Sequence, residues 1–442
     1  MNQILKSTWP LFLGVCFLML GNGLQGTLIG WRGAYEGFSG ANMGIIMAGY
    51  FLGFMIGSKF AQPIVQSVGH IRVFAALASM ASTAILLQIV VISEPVWFAM
   101  RVVTGFCFAG SYVVVESWLN ASATNVTRGS LFSLYMIVTF ASMTAGQWLF
   151  NIGDPSGYNL FIFASILLSI SLVPLLLSNR TVPVVSDSEN MSLLKLYRIS
   201  PAGVSGLFFI GISQGIMFTM GAVYAKEVGL STAQIATFMS VMIAFGAVSQ
   251  WPLGKLSDML DRRWVIMGAS AVAVLACLLL LQLSPGNNQF FLMYGVLGAM
   301  NLPLYSLAVA HSNDRLEPDQ MVAASSTLVF TFGLGSILGP LTMGFVFDYA
   351  GSDSYFIYLA LIHFVLTVLT LFYMIRREAA PEEDHVQYQS IPPRGTVIAL
   401  EAIAQHAEHV MDEESDDESD DQPNKESEVS PSSQADSPSK AE

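Results

Sequence analysis

The sequence predicts an all-α membrane protein of twelve transmembrane helices arranged as two pseudo-symmetric six-helix bundles. Three observations carry that prediction. Apolar stretches of about 20 residues, each long enough to cross a bilayer core, recur from Trp9 to the neighbourhood of Tyr373. The chain is 53% hydrophobic and only 12% charged, with 29 Phe and 37 Gly in 442 residues, far from the charged share of a soluble domain. A short loop signature also occurs twice, roughly 200 residues apart, each copy following a glycine-rich apolar helix. The first copy runs from Gly57 through Val68, Gly69, His70, Ile71 and Arg72; the second runs from Gly254 through Asp258 to Asp261, Arg262 and Arg263. A duplicated unit of several spans, with a substrate site between its halves, is the usual construction of a secondary transporter.

In chain order the spans are expected near residues 9–30, 41–62, 73–92, 96–119, 129–150, 159–177, 202–222, 232–254, 264–283, 289–310, 321–346 and 354–375. A single cleavable signal peptide cannot account for such a series. The expected organisation is an N-terminal six-helix bundle at 1–177, a central loop at 178–198, a C-terminal six-helix bundle at 199–377 and an acidic, mostly disordered tail at 378–442.

Orientation follows from Lys and Arg, because short loops rich in them stay on the cytoplasmic side. One side collects Lys6, Lys59, Arg72, Arg128, Arg180, Lys195, Arg198, Lys255, Arg262, Arg263, Arg315, Arg376 and Arg377, while the other holds Arg32 and Lys226. Both termini are therefore expected in the cytoplasm, with the protein multi-pass in a bacterial inner (plasma) membrane. The net charge of −13 belongs to the tail: from Glu378 to Glu442 there are 18 acidic and 3 basic residues, which leaves the rest of the chain at +2. A run such as Asp412 to Asp421 repels itself and cannot bury enough apolar surface to fold. Within the tail, Thr396 to Met411 is the exception. Val397, Leu400, Ile403, Ala407 and Met411 would form one face of a short helix, lying on the membrane or docked on the body. No tail partner is named by the sequence. Cys16, Cys107 and Cys277 stand alone inside apolar spans and indicate neither a disulfide nor a metal site.

Several passages together resemble the major facilitator superfamily, in its YcaD-like branch, over about residues 5–377. They are Gly21 to Leu24, Val68 to Arg72, Arg101 to Gly105, Glu116 to Asn120, Gln250 to Gly254 and Ala308 to Asp314. The resemblance implies two six-helix halves rocking about a central cavity, with the paired signatures as conformational latches. In the second latch Asp258 would accept hydrogen bonds from the start of a neighbouring helix, and Arg262 and Arg263 would face a carboxylate or phospholipid. In the first, Ala61 stands where the superfamily usually places Asp, so that latch would rest on Gly57, Gly69, His70 and Arg72.

Ionisable residues inside spans are the strongest functional pointers, because an unpaired charge in hydrocarbon costs several kcal/mol. Arg101 and Glu116 share the fourth span about 22 Å apart, at 1.5 Å rise per residue, and cannot pair. Arg101 matches the superfamily's fourth-helix arginine, implied in proton coupling or anion anchoring; an interfacial arginine snorkelling outward is the alternative. Glu116 would carry a proton, or brace the next loop through Ser117, Asn120 or Arg128. His311, at the inner end of the tenth span, has the titration range for proton exchange and is equally read as an interfacial histidine.

The resemblance also implies that the first, fourth, seventh and tenth helices line the cavity. Each carries polar groups at helical spacing: Asn22 with Gln25, Tyr112 with Glu116, Gln214 with Met217, and Asn301 with Tyr305; Gln147 on the fifth span is a further candidate. The eleventh span, with Gly333, Gly335, Gly339, Pro340, Gly344 and Asp348, suits close helix contact and a bend.

No metal centre, nucleotide-binding loop or hydrolase motif is present in the sequence, and nothing points to nucleic acid. The expected function is a monomeric secondary active transporter of a small solute, working by alternating access without a cofactor and powered by the proton gradient. It is not expected to be an enzyme. A multidrug or metabolite exporter, a transition-metal importer (22 Met, thioethers being suited to Cu(I)) and a non-transporting membrane sensor are the alternatives. One arginine allows a small anion, and the amides allow a polar neutral solute.

Overall fold

A computed structural model of the protein describes residues 2–177, 191–378, 388–391 and 395–405. Among them, twelve helices are long and apolar enough to cross a membrane: Thr8–Tyr35, Gly40–Val68, His70–Val90, Glu94–Ser122, Thr127–Ile152, Asn159–Leu176, Pro201–Thr219, Thr232–Met259, Arg262–Leu280, Asn288–Asn313, Gln320–Ala350 and Ser354–Arg376. Each apolar stretch of the sequence is one of these spans. The differences lie at the ends. The second span runs on to Val68 and the eighth to Met259, so the repeated signature is mostly helix, and the turns shrink to Gly69 in one half and to Leu260 and Asp261 in the other. Gly69 has φ of 94°, which a residue with a Cβ rarely adopts.

The duplication also appears in the backbone. Gly37, after the first span, and Gly229, after the short helix Gly221–Glu227 that follows the seventh, have φ of 80° and 78°. Immediately afterwards Ser39 accepts from the Asn42 amide and Ser231 from the Gln234 amide, each satisfying a free N–H at a helix start. The same turn and cap thus open the second and eighth spans.

Between apolar helices in lipid there is little hydrophobic drive, so association rests on close van der Waals contact, which small residues permit. Spans two and four meet backbone to backbone: a Cβ on Gly53 would lie 1.9 Å from the Val102 carbonyl, and one on Gly105 would lie 1.9 Å from that of Tyr50. Spans eight and ten repeat the arrangement, with a Cβ on Gly298 having no room against the Met242 carbonyl. In the same way spans one and five meet through Gly23 and Gly146, and spans seven and eleven through Gly211 and Gly335. Pro340 lies within the eleventh helix without breaking it.

The halves touch at one end of the bundle. Call the end that carries most of the Lys and Arg, and from which the tail departs, the basic end. At the opposite, far end, Gly44 and Gly344 bring spans two and eleven into contact. There Asp348 accepts hydrogen bonds from the amides of Gly40 (2.6 Å) and Ala41 (2.9 Å), placing a carboxylate on the positive start of the second helix. Gly30 on the first span packs against Ala222, and Lys226 lies 5.3 Å over the Trp31 ring.

At the basic end the space between the halves holds residues of the tail. Residues 397–405 are helical, and they are buried around the whole circumference rather than along one apolar face. Ile398, Ala399 and Ala402 join one hydrophobic cluster; Leu400, Ile403 and Ala404 join another, built from the second half. Ala407, Met411 and the acidic run from Asp412 lie outside the described residues. The short helix Leu193–Ile199 precedes the seventh span.

Gly105→Val should lower the stability of the purified protein by about 1–3 kcal/mol or more, the usual cost of over-packing, while Gly268→Val, where a Cβ meets nothing within 4 Å, should leave the unfolding temperature in detergent nearly unchanged.

Candidate functional site

The fourth span carries Glu116 into the centre of the basic half of the bundle, where it is 0% exposed. Its carboxylate accepts hydrogen bonds from neutral donors: the Tyr135 hydroxyl at 3.2 Å, the Thr396 amide at 3.1 Å, the Thr396 hydroxyl and the Ala399 backbone N–H. No Lys, Arg or His pairs with it among the described residues. The bracing role open to it in the sequence is filled by its neighbours. Ser117 meets His70 Nε2 at 3.0 Å, and Asn120 accepts from Arg128 Nε at 2.9 Å. Glu116 is left as a buried carboxylate at the junction of spans four and five with the tail.

Arg101 does not snorkel outward. It is 3% exposed, with its guanidinium 4.6 Å from the centre of the Tyr50 ring on the second span. That is cation–π distance.

The cavity candidates separate into three groups. Asn22 donates to the Tyr112 hydroxyl at 3.1 Å, joining spans one and four. Gln214 donates to the carbonyls of Asn301 (3.0 Å) and Leu302 (3.3 Å), and Asn301 donates to Met217 Sδ at 2.7 Å. Gln214 thus caps the tenth span where its helix is interrupted between Asn301 and Leu304. Five buried polar atoms of the candidates have no protein partner among the described residues: both ends of the Gln25 amide, Gln214 Oε1, Asn301 Oδ1 and the Tyr305 hydroxyl. Each such group costs about 1–3 kcal/mol when left unpaired, and a solute with hydroxyls or amides would satisfy it. Gln147 is a correction. It donates to the Gly23 carbonyl at 3.0 Å and accepts from the Thr27 hydroxyl, so both ends of its amide are used in holding spans one and five together.

The two repeated signatures make different contacts. In the first, Gly57 packs against Phe106 and Ala109 of span four, His70 bonds Ser117 within the same half, and Arg72 is exposed. In the second, Arg262 begins the ninth helix, where a cation opposes the helix dipole, and carboxylates offset it: Nε meets Asp314 at 2.7 Å and Nη1 meets Asp258 at 3.2 Å. Arg263 pairs with Asp261 at 2.6 Å. Burial raises the Asp261 carboxyl, but the Arg263 hydrogen bonds outweigh it and hold the group below its usual range. The arginines face carboxylates of their own half. Asp258 also accepts from the Tyr388 amide at 2.9 Å, so its second partner is the tail and not a neighbouring span. His311 stands apart from Glu116, in a small cleft with Arg263, Arg315 and Arg377.

The profile of the Major Facilitator Superfamily matches residues 11–263 and 203–403. The chain belongs to the major facilitator superfamily. It is a multi-pass membrane transporter of that superfamily. Relatives include the uncharacterized MFS-type transporter YcaD of Escherichia fergusonii, 27% identical over 364 residues (82% of this chain and 94% of the relative). YcaD of Escherichia coli O45:K1 is 26% identical over 373 residues, covering 84% and 97%. Similar solved structures include the nucleoside transporter NupG (TM-score 0.66, 14% identity, 86% of this chain and 100% of that one). A variant of the E. coli fucose:proton symporter FucP has TM-score 0.53 at 15% identity, covering 84% and 98%. These likenesses establish the superfamily fold.

Three groups at the site are not signalled by the sequence. Tyr135 is an aromatic among many on an apolar span, Tyr50 reads as core, and Thr396 opens the tail's apolar segment with nothing in the sequence to pair it with Glu116. Asp348 and Asp314 were visible as charges at span ends, but their partners are remote in sequence.

Asp314→Asn should destabilise the protein strongly, by about 3–5 kcal/mol, because it strips a buried arginine of its main partner; Asp258→Asn, at a half-exposed partner, should cost clearly less. Comparing the two unfolding temperatures checks the ranking.

Proposed function

We propose that this protein is a proton-coupled secondary transporter of a small polar solute, residing in the bacterial inner membrane with both termini in the cytoplasm. The observation that carries the reading is Glu116: a carboxylate buried in a transmembrane bundle and held only by neutral donors. A carboxylate with a cationic partner is locked in charge; one with hydroxyl and amide partners alone can exchange a proton at modest cost. Arg101, packed on Tyr50, is a positioning group in this reading, and His311, among arginines, is not the proton carrier.

The solute is taken to be neutral and rich in hydroxyl or amide groups. Gln25, Gln214, Asn301 and Tyr305 supply buried polar groups without protein partners among the described residues, and Arg101, buried in the fourth span, is already covered by an aromatic ring. NupG, named a nucleoside transporter, and FucP, named a fucose:proton symporter, make nucleosides and hexoses the first classes to test. Asp348 on the start of span two would be the clasp that closes the far side, and the two signatures at the basic end would close the other. No nucleotide-binding motif is present, which fits energy drawn from an ion gradient and a transporter in place of an enzyme.

Thermal unfolding with nucleosides and hexoses at acidic and neutral pH should give a pH-dependent rise for one class, since a ligand of the native state stabilises it. With that solute in proteoliposomes, Glu116→Gln should abolish uphill accumulation driven by a proton gradient while exchange of bound solute persists. Normal accumulation by the variant would remove Glu116 from the coupling step.

A further inference from the structure

The tail residues between the halves make contacts that neither a solvated tail nor a membrane-surface helix would make. Tyr388 lies on Gly254 of the second latch: a Cβ at Gly254 would come within 2.2 Å of its ring. Its amide donates to Asp258 at 2.9 Å and its hydroxyl to Gln250; burial pushes that phenol above its ordinary range, keeping it a donor. Three residues on, the Ile391 amide donates to the Ser306 hydroxyl at 3.0 Å on span ten. The chain then reaches the other half, where Thr396 takes Glu116 through both its amide and its hydroxyl, and Gln405 meets Asn120 at 3.5 Å. Spans two and eleven flank the segment, and beside them a cavity of about 730 Å³ is lined in part by Val397 and Glu401 of the tail.

We infer that residues 388–391 and 395–405 form an intramolecular plug that fills the space between the halves at the basic end and competes with solute and proton for Glu116. The argument rests on which atoms are used. The plug contacts both halves, so the rocking motion that would close the basic end cannot proceed while the wedge is in place. It also supplies most of the hydrogen bonds on Glu116, from Thr396 and the Ala399 backbone, favouring the ionised carboxylate. Apolar burial anchors it: Ile391, Thr396, Ile398, Ala399, Leu400 and Ala402 are each 3% exposed or less. A segment that contributes only to one conformation shifts the population toward it by its differential binding. Occupancy of that space stands independently of the proposed transport, whereas inhibition rests on that reading.

The test uses the full chain. With Cys16, Cys107 and Cys277 replaced by serine, Ser306→Cys reports whether the space is filled, through its rate of reaction with a soluble maleimide. Ala399→Arg expels the helix from a site with no room for the side chain, and Gly254→Val displaces Tyr388 from outside the tail. Either change should speed labelling by about tenfold or more, a shift of the size that over-packing produces. Linking Asn120→Cys to Gln405→Cys with a short bis-maleimide should suppress it. Labelling that stays at the parent rate in variants eluting and unfolding like the parent overturns the plug. If labelling responds as expected and solute uptake rises in Ala399→Arg and stops in the cross-linked protein, plug and inhibition both stand. If labelling responds while no variant transports, the plug stands and the transport reading fails.

Discussion

Glu116 is the constraint around which the rest of the structure is arranged. At membrane depth water cannot solvate a carboxylate, so the protein must supply its hydrogen bonds or neutralise it. Here the donors are neutral and come from two sources, Tyr135 of the next span and Thr396 of the tail. One source is fixed within the first half and the other is attached by a separate segment. The state of the carboxylate is therefore tied to the position of the tail, and through the tail to the contacts at Ser306, Gln250 and Asp258 in the second half.

The glycine contacts set how that coupling can be transmitted. Within each half, spans two and four, one and five, seven and eleven, and eight and ten meet at backbone distance, which leaves little freedom to deform. The looser boundary lies between the halves, where spans two and eleven meet at the far end through Gly44, Gly344 and Asp348, and in the proposed mechanism the motion takes place there. Packed interfaces of this kind have discrete arrangements and do not deform continuously. The buried pair of Arg262 and Asp314 fixes the second latch within its own half, so the latch moves with that half.

Much of this architecture could be read from the chain. Period and length of the apolar runs located all twelve spans, because hydrocarbon tolerates so little else, and the spacing of Gly69 and of Gly254 with Asp258 identified the repeat. Boundaries were less legible: the signatures are mostly helical because Gly69 in one half and Leu260 with Asp261 in the other suffice for the turn. Among the site residues, Arg101 and Glu116 stood out as ionisable groups within a span, although the sequence left open an interfacial, snorkelling Arg101. Their partners did not, since Tyr50 and Tyr135 resemble ordinary core and nothing in a sequence reports a contact across 280 residues such as that of Glu116 with Thr396. Gln147 looked like a cavity amide because spacing cannot distinguish an amide that faces a solute from one that ties two helices. The tail was hardest. Its apolar segment from Thr396 was legible as one face of a short helix, but the sequence left open whether that helix lies on the membrane or docks on the body, because its burial on all sides depends on a cleft formed by other helices.

The most direct measurement is the pair of distances across the two ends of the bundle, by spin labels on exposed sites in lipid. One pair would sit on Arg72 and Met259 at the basic end and the other on Tyr158 and Ser284 at the far end. On shifting between acidic and alkaline pH, and on adding a solute that stabilises the protein, the two distances should change in opposite directions, with the pH response lost in Glu116→Gln. Distances that remain fixed, or that lengthen and shorten together, would contradict a body whose halves rock about a cavity under the control of that carboxylate.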